Sequence, residues 1–271
     1  MDLCKKELID ERKERDKKLV DLYRNFLEIR YYEPMEGNPA EYDWFSFPKN
    51  LSFDSQIYHE MLSEYARELS NSINDLRQYI INLKTWMKIT ENMEVQLKFE
   101  LLDEMIIPFA TLAINLIYVI RSRFFFSVAH LCHQANIIKF RKDGKVFDIN
   151  LPKDKDIWQK DADKMGAYWK DYKKLKLALE KVCSQKFTKA TGDFRNKYNH
   201  RYPQNIGIGY TRAVRRRIED KKIIYSKLHI EPLSLESLTP LLVEQYLLIS
   251  DSYTRYQQLV FSHLSMQEES I

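Results

Sequence analysis

Glycine and proline are scarce in this chain, at 6 and 8 among 271 residues. Tight turns draw on both, so few turns are expected, and classes built on glycine-rich phosphate loops are disfavoured. Cysteine is scarcer. Cys4, Cys132 and Cys183 are odd in number and lack a C-x-x-C spacing. They indicate neither a disulfide framework nor a cysteine zinc site, and they point to the cytoplasm. The N-terminus opens on charged residues without an apolar core, so no export signal is read there. Long apolar runs are missing too. The longest, residues 105–120, holds Pro108 and Asn115 and at 16 residues falls short of the roughly 20 that span a bilayer. A buried central helix is expected, and no membrane contact.

What is abundant is charge. Charged residues make up 30% of the chain, yet the net charge is only +4 and the pI about 8.7, short of the pI above about 9 that marks a dedicated nucleic-acid binder. Local clusters of cations therefore matter more than the total. Together with plentiful Leu, Lys, Glu and Ile, this composition favours long helices. Apolar spacings of three and four predict helices over residues 2–30, 55–92 and 94–135, helical structure over 154–189, and a closing helix over 234–266. Residues 31–50 hold Pro34, Gly37, Pro39 and Pro48 among aromatics, which predicts a loop pinned to the body.

Two hairpins are expected, at 137–151 around Asp143-Gly144 and at 210–228 around Glu219-Asp220. Gly192 is expected to lie within a helix continuing into the following polar run. The fold class that results is all-α: a bundle of four or five long helices in a single domain over 1–271, with one or two β-hairpin decorations. Residues 1–50 form its N-terminal helix and aromatic loop.

Chemistry concentrates in residues 194–203, which read FRNKYNHRYP. Arginine offers a permanent fork of donors for a phosphate, and histidine exchanges protons near neutrality. On a helix Asn196 and His200 share a face, while Arg195 stands about 140° from His200 and reaches it by the length of its side chain. Pro203 removes a backbone donor and disfavours helical geometry at Tyr202, which puts His200 in an exposed last turn. Such a set suits metal-free cleavage of a phosphodiester.

This run resembles the signature of the HEPN superfamily: arginine, four to six residues, then histidine, commonly with a polar residue directly after the arginine. Here Arg195, Asn196 and His200 occupy those positions. The resemblance implies an all-α fold and metal-independent endoribonuclease chemistry of the kind found in toxin, defence and RNA-processing systems. No cofactor is implied. It also implies a homodimer pairing two motifs across a cleft, with a protein partner or antitoxin as a further possibility within the superfamily. Some members serve instead as non-catalytic modules, as partners of nucleotidyltransferases or as sensors, and the same polar run fits that role. Arg123 and His130 also match the spacing, but they enclose Phe124, Phe125 and Phe126 and are read as core.

The RNA-binding set proposed around the motif is Lys197, Arg201, Arg212, Arg215 and Arg217, because lysine and arginine hold phosphates without reading sequence. Strand alternation lets no more than two of Arg215, Arg216 and Arg217 share a face, and charge that protects an edge strand explains them equally well. No metal site is expected. His130 and His133 lack a carboxylate at ligand spacing, His59 lacks the Glu-x-x-His pattern of carboxylate bundles, and Asp154, Asp156, Asp161 and Asp163 fit no EF-hand register.

Overall fold

The structure, a computed structural model, describes residues 2–47, 53–91, 93–208, 214–227 and 230–268; of 2–11 and 268 it describes the backbone alone. Among the described residues nine α-helices and one hairpin follow in order: α1 (Asp2–Tyr31), α2 (Phe53–Thr90), α3 (Val95–Leu101), α4 (Ile107–Lys142), α5 (Gln159–Gly166), α6 (Lys170–Leu179), α7 (Gln185–Ala190), α8 (Phe194–His200), β1 (Val214–Glu219), β2 (Lys222–Lys227) and α9 (Leu235–Glu268). The protein is mostly helical, with one two-stranded antiparallel hairpin.

Spacing explains which helices form the core. Along α2, Tyr58, Leu62, Ala66, Leu69, Ile73, Leu76, Ile80 and Leu83 recur at three and four and are all buried. The same rhythm buries Ile114, Ile117, Ile120, Phe124 and Val128 of α4, and Leu238, Leu242, Tyr246, Ile249, Tyr253 and Tyr256 of α9. These three helices pack on one another, and α5 and α6 close the assembly against α4 and α9. Burying each large apolar side chain contributes about 1.5–3 kcal/mol before chain entropy is set against it. Residues 95–142 are long and apolar enough to cross a membrane by length and composition, with a third of the most apolar window buried. Leu112 and Val119 on its outer face stay exposed.

α3 and α4 run as one helix through a π turn at Leu102–Ile106. Pro108 sits just beyond it, in the first turn of α4. A proline there has no N–H to give and would crowd a preceding carbonyl; the wider π turn accommodates both.

Two expected features are replaced by helix stops. Asp143-Gly144 turns no hairpin at 137–151: α4 continues to Lys142, and the residues after Gly144 form no strand. Gly144 takes φ +66°, Lys145 N donates to Phe140 O at 2.8 Å and Gly144 N to Arg141 O at 3.0 Å. That pairing is the Schellman stop, which favours glycine because an L side chain is strained at positive φ. Gly192 stops α7 the same way, with φ +60°, Asp193 N donating to Thr188 O at 2.7 Å and Gly192 N to Lys189 O at 3.0 Å. The expected continuity is thus broken, and 154–189 is short helices rather than long ones.

The expected hairpin at 210–228 is present, with its turn at Asp220-Lys221, both at positive φ. Residues 209–213 and 228, and Arg212 with them, lie outside the described residues. Register puts Arg215 and Arg217 on one face with Ile224 and Ser226. Val214, Arg216, Ile218, Ile223 and Tyr225 share the other. Every described hairpin side chain except Ser226 is exposed.

The aromatic loop is pinned as expected by Trp44, whose Nε1 donates to the Tyr253 hydroxyl at 2.8 Å and whose ring meets Tyr256 and Phe261 edge-on. Tyr31 and Tyr32 are the exception, 82% and 81% exposed. Further polar pairs cross the core: Tyr58 hydroxyl with His263 Nδ1 at 2.8 Å, Ser127 with Tyr256 at 2.7 Å, and Trp169 Nε1 to Asn136 Oδ1 at 2.8 Å.

His263 is fully buried, and burial, aided by the nearby Lys139 charge, pushes its pKa from 6.5 down to about 3. Between those values the unfolded chain binds a proton that the folded chain does not, so stability rises with pH across the window and falls on acidification. Each unit below 6.5 should cost about 1.4 kcal/mol from this group. The midpoint of thermal unfolding should drop between pH 7 and pH 5, and His263→Gln should flatten that slope. Equal slopes in the two proteins would remove His263 from the account.

Candidate functional site

α8 is a seven-residue helix held between two stops. At its start Gly192 and Asp193 are both left-handed, with Asp193 at φ +57°. At its end Arg201 leaves helical geometry two residues before Pro203, donating its N–H to Lys197 O at 2.7 Å. Phe194 anchors the helix: it is 2% exposed and its ring stacks on Tyr198 with centroids 5.8 Å apart.

With Phe194 inward, the motif faces out. Arg195, Asn196, Asn199 and His200 are all exposed. Asn196 and His200 lie one turn apart on one face, as expected. The Arg195 guanidinium lies over the Tyr118 ring of α4, 4.9 Å from its centroid, a contact contributing about 0.5–1 kcal/mol at an exposed site. The same contact orients the guanidinium. Asn196 Nδ2 donates to Asp193 Oδ2 at 2.9 Å, so the residue that begins the helix also orients the motif asparagine. His200 has no hydrogen-bond or ion-pair partner among the described residues, which leaves both ring nitrogens accessible.

Tyr118 lies beneath Arg195, and Cys183 is close enough to feel the charges of both Arg195 and Arg121. Burial raises the Tyr118 pKa, and it pushes the Cys183 thiol up to about 12 against the pull of Arg121 and Arg195. Cys183 is therefore a neutral thiol at physiological pH and no nucleophile.

The RNA-binding candidates are less gathered. Lys197 is half-buried and its ammonium is bound to the Gly192 carbonyl, so it closes the turn more than it reaches outward. Arg201 is exposed at the helix end. Arg215 and Arg217 are exposed on one hairpin face, Arg217 sharing its charge with Glu219 at 3.6 Å. β1 and β2 pack extensively on each other, and among the described residues no comparably extensive packing of the hairpin on a helix is found.

The second arginine–histidine pair is not core. Phe124 and Phe125 are buried, but Arg123 is exposed and lines a 290 Å³ cavity between α2 and α4 with Glu64, Tyr65 and Glu68. Seven residues on a helix return almost to the same face, which sequence spacing already indicates. His130, two turns on, is half-buried with Nε2 3.6 Å from Asp154, and burial lowers its pKa. That carboxylate comes from 24 residues away, so ligand spacing along the chain could not reveal it. His133 Nε2 donates to Ile149 O at 3.0 Å, and Cys132 is buried. Among the described residues no three His, Cys, Asp or Glu side chains converge as a metal site requires.

No protein-family model, curated protein or solved structure matches this chain.

The turn that starts α8 is open to test. Gly192→Ala places a methyl group at positive φ, against the Gln204 amide oxygen. Backbone strain alone should cost about 1–2 kcal/mol of stability. Denaturant unfolding should detect it, whereas Gly192→Ala with unchanged stability would mean that the turn is not held as described.

Proposed function

We propose that this protein is a HEPN-like, metal-independent endoribonuclease whose reacting groups are His200 and Arg195. The observation that carries the reading is the joint exposure of Arg195, Asn196 and His200 on one short helix whose ends and inward face are fixed. Exposure suits a polymeric substrate that must lay its backbone across the site.

In the proposed reaction His200 takes the proton from an RNA 2′-hydroxyl, the 2′-oxygen bonds to the adjacent phosphorus, and the bond from phosphorus to the 5′-oxygen breaks. Arg195 stabilises charge developing on the phosphoryl oxygens. Asn196 orients the histidine or binds phosphate. The departing 5′-oxygen needs a proton, and the His200 of a second copy supplies it in a homodimer. Leu112 and Val119, exposed on the helix that carries Tyr118, are suited to that contact. Arg201, Arg215 and Arg217, with Arg212, extend the hold on the RNA backbone, and the reaction belongs in the cytoplasm.

A second reading is favoured by one feature. Arg195 and Asn196 are engaged by Tyr118 and Asp193 of their own chain, as in a helical scaffold that binds a nucleotidyltransferase, an antitoxin or another protein partner without cleaving RNA.

Incubation with RNA separates the two. Cleavage should persist in EDTA, and His200→Ala should lower the rate by about 100-fold or more while the unfolding midpoint stays unchanged, because an exposed terminal-turn histidine adds little packing. Cleavage that is lost on chelation and restored by magnesium would overturn the mechanism, and no cleavage by the native protein would favour the scaffold. For the hairpin, Arg215→Ala with Arg217→Ala should weaken RNA binding and reduce the log–log salt slope by about one unit per lost phosphate contact. Identical affinity at every salt concentration would assign both arginines to edge protection.

A further inference from the structure

A cleft of about 540 Å³ lies between the end of α1 and the middle of α2, and its charge is out of balance. Arg30 and Arg77 both line it. Neither has a carboxylate within ion-pair distance among the described residues: the Arg30 guanidinium rests 6.0 Å from the centre of the Phe26 ring, and Arg77 lies near the Tyr246 hydroxyl, which itself donates to Asn38 O at 2.6 Å. The acidic group in the lining, Glu33, is occupied elsewhere. Its side chain is 1% exposed, one oxygen facing Lys84 at 3.4 Å and the other Lys88 at 2.6 Å. Glu33 is thus taken up by two lysines, and the two arginines of the cleft are left without a carboxylate among the described residues.

Folding alone gives little reason to gather positive charge this way. Like charges repel, and a buried guanidinium donor without an acceptor costs free energy. Arg77 Nε is such a donor, shielded from solvent and without a hydrogen-bond partner. A planar fork of donors with no protein carboxylate matches a phosphate group.

The rest of the cleft suits what a phosphate carries. Leu27 and Ile81 supply apolar wall, and Tyr31, 82% exposed, stands at the edge, able to stack on a nucleobase. The volume falls within the roughly 300–1,000 Å³ of small-ligand sites. We infer that the α1–α2 cleft binds a nucleotide, its phosphate held by Arg30 and Arg77 and its base stacked on Tyr31. The nucleotide is free in solution or is the phosphorylated end of an RNA. The site is built from elements other than α8 and stands whether or not His200 cleaves RNA.

Calorimetric titration of the full chain tests this with AMP, adenosine, and a short 2′-O-methyl oligonucleotide with and without a 5′-phosphate. AMP should bind and adenosine should not, and a 5′-phosphate should tighten binding of the oligonucleotide, whose backbone alone meets only the cations near α8 and the hairpin; a phosphate effect in only one of the two pairs identifies the source of the phosphate. Arg30→Ala and Arg77→Gln should each weaken binding about tenfold or more, as loss of a charge-assisted contact does. Arg30 holds no partner whose loss would unfold the chain, so Arg30→Ala keeps the test open should Arg77→Gln fail to fold. Tyr31→Ala should weaken AMP more than inorganic phosphate. Absence of AMP binding at millimolar concentration together with equal affinity of the two oligonucleotides, equal affinity for AMP and adenosine with no 5′-phosphate effect, or unchanged AMP affinity in Arg30→Ala would overturn the assignment.

Discussion

The burial of α4 between α2 and α9 is the constraint on which the rest of the structure depends. Ile114, Ile117, Ile120, Phe124 and Val128 have no exposed surface, and close-packed cores tolerate little displacement of such residues. The surroundings of the candidate site are referenced to this helix. Tyr118 lies under Arg195, Arg121 reaches the Leu179 carbonyl at the end of α6, and Asn136 holds Trp169 just before it. The hydroxyls of Tyr58, Tyr253 and Tyr256 all find partners across the core. Unpaired, each would carry the desolvation cost of a buried polar group, so the pairs narrow the ways in which the three helices can register.

Against that rigid frame α8 is a small attachment with a chemical outer face. Seven residues are too few to be helical alone in water. Phe194, the Schellman stop at Gly192 and the Arg195 contact on Tyr118 compensate. The arrangement leaves His200 at the free end of the helix, the position from which a histidine can meet a large substrate. It also explains why a second copy enters the proposed mechanism: one such helix offers one proton carrier, and attack by a 2′-hydroxyl requires a proton to be taken and another given.

Helix periodicity was legible because apolar residues in α2, α4 and α9 recur at three and four over many turns. The helical ending at His200 was legible through Pro203. Glycines were not. Asp143-Gly144 and Thr191-Gly192 carry the turn chemistry that serves hairpins and helix stops alike, since both need positive φ. What distinguishes them is whether a partner strand follows, and after Gly144 the chain forms none. The exposure of Arg195, Asn196 and His200 followed from local sequence. Their supports did not: Tyr118 is 77 positions from Arg195, and only packing brings it there. The same holds for the cleft of Arg30, Glu33 and Arg77, whose members are unremarkable singly and gain meaning from the charge they assemble.

The most direct measurement of the central claim is the identity of the RNA ends produced, read by mass spectrometry after incubation with the native protein. Attack by the neighbouring 2′-hydroxyl, with His200 moving the proton and Arg195 bearing the charge, leaves a 2′,3′-cyclic phosphate on one fragment and a 5′-hydroxyl on the other. Fragments ending in 3′-hydroxyl and 5′-phosphate would show that water rather than the 2′-hydroxyl attacks phosphorus, and would contradict the account.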